Sequence, residues 1–386
     1  MMKKVLYVGG FELPDKNAAA HRVIGNAKVF KELGYEVKLI GLTNGIVKIG
    51  PFHSSGFESF EEVYPKSNKD WLKFLIDISF VKRMILNEKP EIVILYNYPA
   101  MKLFRLMRLC RKMNIKVYAD ITEWYVSEGS SLRDQIKKID IKWRMKYLHF
   151  KLDGLIVISN YLKSYYEKSV RNIIVVPPLI DCQDNKWDII RDQSKIQDEI
   201  VRFVYSGSPG SGGKDRLDIV IDNLKKVSEK FGKTIRFDII GINLEDYLRN
   251  FNQDNFDHPF VTFHGRLDHN DAIKIVNDSN FTVFFRDNYI VNNAGFPTKF
   301  VESITLGTLV VTNSTSDLPN YYEKYGENLG VLIEDLDNLS IESGLINALK
   351  FSKTKMNLIK ESHVNRQIFD YRNYIDQFGS FIRNTI

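Results

Sequence analysis

Cysteine is scarce in this chain: Cys110 and Cys182 are the only two in 386 residues. They stand far apart and belong to no cluster, which excludes a disulfide-stapled scaffold and a cysteine metal site, and a reducing cytoplasm is the expected home. Histidine is also rare, seven in all, with none of the paired spacings that hold zinc. No metal and no cofactor are therefore expected. No apolar run approaches the ~18 residues of a membrane span. The opening MMKKVLYVGG lacks the apolar stretch and cleavage site of a signal peptide. Short-period repeats and low-complexity tracts are missing as well.

What is present is ordinary globular composition, 44% hydrophobic and 26% charged. The length exceeds the roughly 250–300 residues at which one core stops growing, so two domains are expected. The net charge of +6 is uneven: residues 101–170 hold fifteen Lys or Arg against seven Asp or Glu. Such a surface attracts phosphorylated substrates, anionic lipid or nucleic acid, but no nucleic-acid module accompanies it.

Short apolar runs alternate with helical patterns through both halves. KVLYVGG, YEVKLIG, EIVILY, KVYAD, GLIVIS and IIVVPP read as strands in the first half. IVRFVYSG, TIRFDIIG, FVTFHG, FTVFF, TLVVTN and GVLIE do so in the second. Continuous apolar strands between helices indicate parallel sheets covered on both faces. The fold class is α/β, two doubly wound units in tandem, with domains expected over 1–185 and 198–363 and a boundary near Pro177 to Gln197. The end, 364–386, has helical spacing through Ile368, Tyr371, Ile375, Phe378 and Ile382. That helix covers its own domain or packs back on the first.

Ligands of open parallel sheets sit beyond the carboxyl ends of the strands. There YSGSPGSGGKDRLD, from Tyr205, offers a glycine loop for an anion. A P-loop is excluded at both ends, because Ser208 stands where its first glycine belongs and Asp215 follows Gly213-Lys214 where Ser or Thr belongs. Further on, Gly295, Phe296, Pro297 and Thr298 lead into a helix whose first turns hold Lys299 and Glu302. Helix amides and a lysine bind phosphate, and a carboxylate can accept both hydroxyls of a ribose. Lys214 offers a second positive charge.

AGFPTKFVESITLGTLVVTN, YSGSPGSGGKD and VTFHGRLDHNDAIKIVNDSNFTVFF resemble the donor-site signature of family 4 retaining glycosyltransferases of GT-B fold, and KNAAAHRVIGNAKVFKELGYEVKLIG, DGLIVISNYLKSYY and IIVVPPLID match its N-terminal segments. The resemblance implies two Rossmann-like domains with a nucleotide-sugar cleft between them, an acceptor-side domain first, and metal-free transfer to an acceptor hydroxyl. It also implies that Glu302 binds ribose, that Gly207, Ser208 and Lys214 hold the diphosphate, and that Gly265 and Arg266 lie at the base. Amides of Phe296 to Thr298 would contact the departing diphosphate. Two positions depart from the family: Ala294 replaces a glutamate near the donor sugar, and Ser208 stands at about the place of an arginine. Lys299 or Arg286 can replace that charge.

On the acceptor side, Gly9 and Gly10 follow the first strand and His21 and Arg22 lie on the next helix. Asp120 and Glu123, in YADITEWY, orient a sugar hydroxyl or act as base, or else cap the following helix. His21 is catalytic or merely packed. Asp335 and Asp337 offer the pair a metal-dependent enzyme needs, in the wrong place. The basic stretch DQIKKIDIKWRMKYLHFK has two apolar faces, one for the sheet and one for lipid, a lipid-linked acceptor or a partner chain. The expected function is transfer from a UDP- or GDP-sugar to a glycan or lipid-linked acceptor in surface polysaccharide synthesis, at the inner face of a membrane. The rivals are an inactive partner subunit and a nucleotide-sugar epimerase.

Overall fold

The computed structural model describes the chain except residues 1, 15, 49, 128, 190–198, 210–213, 363 and 386. The middle of the glycine loop and part of the expected domain boundary thus lie outside the described residues.

The first unit is built on an eight-stranded sheet. In chain order it contains β1 (Lys3–Gly9), α1 (Ala18–Glu32), β2 (Tyr35–Thr43), β3 (Phe52–Ser54), β4 (Phe57–Val63), α2 (Asn68–Ile76), α3 (Ser79–Glu88) and β5 (Ile92–Tyr96). It continues with α4 (Ala100–Lys112), β6 (Lys116–Ile121), α5 (Leu132–Trp143), β7 (Gly154–Val157), α6 (Asn160–Tyr166) and β8 (Ile173–Val175). The sheet order is β3-β4-β2-β1-β5-β6-β7-β8, parallel except where β3 pairs antiparallel with β4. That hairpin escapes the sequence reading because β3 has only three residues and β4, FESFEEV, is rich in polar ones. Its turn is nonetheless written in the chain: Ser55 and Gly56 take φ of 51° and 83°, the two positive values that a tight two-residue hairpin turn requires. Polar side chains start the helices locally, as where Asn17 accepts from the Ala20 amide and Ser159 from the Leu162 amide.

The second unit holds β9 (Val201–Ser206), α7 (Leu217–Phe231), β10 (Ile235–Ile240), α8 (Leu244–Phe251), β11 (Val261–Gly265), α9 (His269–Asp278), β12 (Phe281–Val283) and α10 (Ile290–Ala294). Then come α11 (Thr298–Thr305), β13 (Leu309–Asn313), α12 (Leu318–Tyr325), β14 (Gly330–Ile333), α13 (Asn338–Leu349) and α14 (Lys353–Glu361). Its six parallel strands run β11-β10-β9-β12-β13-β14. The order reverses at β9 and β12, which makes the carboxyl end of β9 the place for a ligand. Phe203 and Phe281 stack across that junction, 5.4 Å between centroids.

Contacts group Met1–Asp181, Ala294–Phe296 and Asp370–Ile386 into one unit and Cys182–Asn293 with Pro297–Phe369 into the other. The continuous helix expected from Ile368 onward is broken. Asp370 caps a short turn over Tyr371–Tyr374, and the Tyr371 amide donates to the Ile180 carbonyl at 2.9 Å. Only then does α15 (Ile375–Arg383) begin. It packs on the first unit, with Phe378 5.4 Å from Phe30 and Phe381 4.9 Å from Tyr118. Gly154 is required there, since a Cβ would lie 2.7 Å from the Phe381 ring.

Candidate functional site

Three glycines gather at the carboxyl edge of the second sheet. The Gly207 amide donates to the Ile240 carbonyl at 3.0 Å, and the Gly241 amide to the Gly265 carbonyl at 2.7 Å. Gly241 was not singled out from the sequence, yet it is the tightest of the three. It has φ of +109°, and a Cβ would sit 2.1 Å from the Gly207 carbonyl oxygen. Gly241→Ala is therefore expected to cost roughly 2–4 kcal/mol of stability and to displace Gly207. Chemical denaturation checks it, and an unchanged midpoint would show that the strand ends can separate freely.

Over Gly207 lies the ammonium of Lys299, so close that a Cβ on Gly207 would be 3.0 Å from its Nζ. Lys299 opens α11, and its chain crosses the Tyr205 ring with Nζ 3.8 Å from the centroid. A buried carboxylate fixes this cation. Asp215 Oδ2 accepts from Lys299 Nζ at 2.5 Å and from the Tyr205 hydroxyl at 2.8 Å, and Oδ1 accepts from Arg286 Nε at 2.6 Å. Arg286 is pinned in turn, its amide donating to Asn313 Oδ1 and its carbonyl accepting from Asn313 Nδ2, both at 2.8 Å. Lys299, Arg286 and Asp215 are all buried. Two cations on one carboxylate leave one net positive charge beside a glycine backbone, the arrangement an anion needs.

Burial raises the Asp215 carboxyl, but Lys299 and Arg286 outweigh it and hold the group well below the usual carboxylate range. For Lys299, burial lowers the ammonium, Asp215 restores part of the loss, and Arg286 and Lys214 push it down again, to about 8. Glu302 lies one turn further along α11. Its surface is only partly covered, yet burial pushes its carboxyl up to about 7 against the pull of Lys186 and Lys299. The site thus holds an acid and a base that both titrate near neutrality, on one helix.

The other expected donor residues are placed as follows. Ser208 follows Gly207, and the Lys214 amide donates to the Pro209 carbonyl at 2.8 Å. Gly265 ends β11 with φ of +64°, and Arg266 after it is exposed. Pro297 and Thr298 start α11, whereas Gly295 and Phe296, both buried, group with the first unit, as does Ala294. Asp215, Tyr205 and Asn313 escaped the sequence reading, since only the packed strand ends bring them to Arg286 and Lys299.

In the first unit the acceptor-side candidates are placed as follows. Asp120 is fully buried, paired with Arg22 Nη2 at 2.7 Å and Nε at 2.9 Å, and bonded to the Tyr7 hydroxyl and to Asn26 Nδ2. Arg22 also donates to the Val176 carbonyl at 2.8 Å. Both side chains are buried and paired with each other. Asp120 and Glu123 do not cap the next helix, because Ser131 caps α5. Glu123 is exposed, His21 is half-buried on α1, Gly10 is open, and Gly9 is buried with a would-be Cβ 2.3 Å from the Tyr96 carbonyl oxygen. Asp337 caps α13 through the amides of Leu339 and Ser340, and among the described residues no three metal-ligating side chains converge.

Residues 201–350 match the family model described as Glycosyl transferases group 1. No curated protein sequence matches the chain. Solved structures share its fold at low identity. Sucrose-phosphate synthase from Thermosynechococcus elongatus is 13% identical, with a TM-score of 0.67 over 99% of this chain and 98% of that one. The Anabaena protein HepE, solved with UDP and glucose, and the lipopolysaccharide outer core galactosyltransferase WaaB each have 14% identity and a TM-score of 0.62, over 99% of this chain and 100% of theirs. The two α/β units thus have the GT-B fold.

Proposed function

We propose that the chain transfers a sugar, with retention and without a metal, from a UDP- or GDP-sugar to a hydroxyl of a glycan or lipid-linked acceptor. The observation that carries the reading is Lys299 seated over Gly207, with Glu302 one turn on, inside the segment that matches Glycosyl transferases group 1. Departure of a nucleoside diphosphate builds charge on its phosphate oxygens. Lys299 and Lys214 would stabilise that charge, and the α11 amides would add their dipole. Glu302 would accept the ribose hydroxyls and fix the donor. The leaving phosphate itself can take the acceptor's proton, which suits a site whose buried carboxylate, Asp215, is fully engaged by cations.

The membrane side of the reading rests on α5 and the turn after it. Leu132, Ile139 and Tyr147 are 78%, 67% and 55% exposed, interspersed with the exposed Lys138, Lys142 and Lys146. Apolar groups among lysines suit an anionic lipid surface and hence a lipid-linked acceptor, as in surface polysaccharide assembly. No helix among the described residues is long and apolar enough to cross a membrane.

Calorimetry of UDP, GDP, ADP and their sugar conjugates against the wild type and Lys299→Met tests the donor half. One nucleotide class should bind, and roughly 10–100-fold more weakly in the variant, the range of one to two charge-assisted hydrogen bonds. No nucleotide binding to folded protein would reject the transferase in favour of an inactive partner subunit, the reading that Ala294 favours. Conversion of a nucleotide-sugar without any acceptor would favour the epimerase.

A further inference from the structure

The first unit contains a cavity of about 490 Å³ lined by none of the residues assigned above, a size typical of ligand sites. Its walls come from the carboxyl end of β4, from α2, and from the first turn of α4.

Lys102 is the unusual group. Its side chain is 1% exposed, yet it lines the cavity. The carboxylate paired with it, Glu62, is 3.7 Å away, beyond hydrogen-bond reach. Two rings flank it, with Nζ 4.1 Å from the Phe74 centroid and 5.2 Å from that of Tyr98, and the Asp77 carboxylate adds its attraction. The Tyr98 hydroxyl is itself buried with no hydrogen-bond partner among the described residues. A buried ammonium normally finds acceptors for its three donors; here the ion-paired Glu62 carboxylate stands at 3.7 Å and two aromatic faces lie beside it. Burial accordingly lowers the Lys102 ammonium and raises the Glu62 carboxyl.

The charges of the wall decide the kind of ligand. Lys66, Lys73 and Lys102 are matched by Glu62, Asp70 and Asp77, so the cavity concentrates neither sign. Donors and acceptors share the wall with the rings of Tyr64 and Phe74. A hydroxyl placed between Lys102 and Glu62 would accept from the first and donate to the second, closing the 3.7 Å gap. A hydroxyl-rich ring does this while laying its C–H face on an aromatic wall. An anion would satisfy Lys102 and be repelled by Glu62.

We propose that this cavity binds one sugar unit of an uncharged saccharide. That the saccharide is the acceptor glycan rests on the transferase reading; that a sugar binds here does not.

Saturation-transfer NMR on the whole protein, without nucleotide, tests it with methyl glycosides of glucose, galactose and mannose, N-acetylglucosamine and their common disaccharides. The variants are Lys102→Met and, because the buried lysine can be needed for folding, Tyr64→Ala at a side chain 43% exposed. At least one glycoside should give a signal that falls fivefold or more in each variant that keeps its circular dichroism. Absence of any signal from the wild type, an undiminished signal in Tyr64→Ala, or displacement by inorganic phosphate would each overturn the proposal. Nucleotide calorimetry on the same samples separates the two readings: saccharide signals without nucleotide binding sink the transferase alone, and nucleotide binding without saccharide signals sinks only the cavity assignment.

Discussion

Asp215→Ala is expected to destabilise the second unit by about 3–5 kcal/mol, the range for removing one partner of a buried ion pair. The substitution leaves Lys299 and Arg286, at 8% and 7% side-chain exposure, without their shared counter-ion. It also takes the acceptor from the buried Tyr205 hydroxyl. The measurement is the guanidinium midpoint at unchanged slope. The sign with pH follows from the lowered carboxyl. Its contribution is fully present above the ordinary carboxylate value of 3.8 and is lost as pH falls through the depressed folded value. Wild type and variant should therefore differ at pH 7 and converge in acid. Adding Lys299→Met to Asp215→Ala should recover part of the loss, because one orphaned cation is gone. A single-variant cost below about 1 kcal/mol, the scale of an exposed pair, would mean that the two cations reach water and that Asp215 does not hold them.

Nucleotide-sugar affinity should rise from pH 6 to 7.5 and fall again above pH 8, and Glu302→Ala should lower it about 100-fold or more at the optimum, the scale of two hydrogen bonds to a charged group. The rising limb belongs to Glu302: with its carboxyl at about 7, only the ionised form accepts two ribose hydroxyls, so affinity grows as it deprotonates. The falling limb belongs to Lys299 at about 8, which loses its charge, and its attraction for the diphosphate, above that pH. A nucleotide-sugar is the right probe, because its diphosphate does not titrate in this range. Glu302→Gln should keep the falling limb and flatten the rising one. A rising limb that survives in Glu302→Gln would assign it elsewhere and remove the ribose role from Glu302.

Among the strands that the sequence made legible, the clearest are buried on both faces. EIVILY and TLVVTN read as strands because a two-sided core demands unbroken apolar runs. The hairpin at Phe52–Val63 did not, since it lies at the sheet edge, where polar residues are tolerated. Lys299 and Glu302 stood out through the glycine and proline before them, which mark a helix start. The pairing of Asp120 with Arg22 was not legible. A carboxylate at a strand end and an arginine on the next helix look the same in sequence whether they face solvent or each other, and here they bond inside the core at 2.7 Å.

By itself the sequence determined that two parallel α/β units follow each other, and that a glycine loop and a helix start carry Lys214, Lys299 and Glu302. Periodicity and backbone chemistry are local properties, so they can be read locally. Only the tertiary structure decided which charges pair with one another. Asp215 meets Arg286 from 71 residues away and Lys299 from 84, and Lys102 is buried beside a carboxylate it does not reach. The first outcome depends on the sheet order that makes β9 and β12 neighbours, the second on how α2 and α4 pack beside β4, and both are fixed by packing across the whole unit.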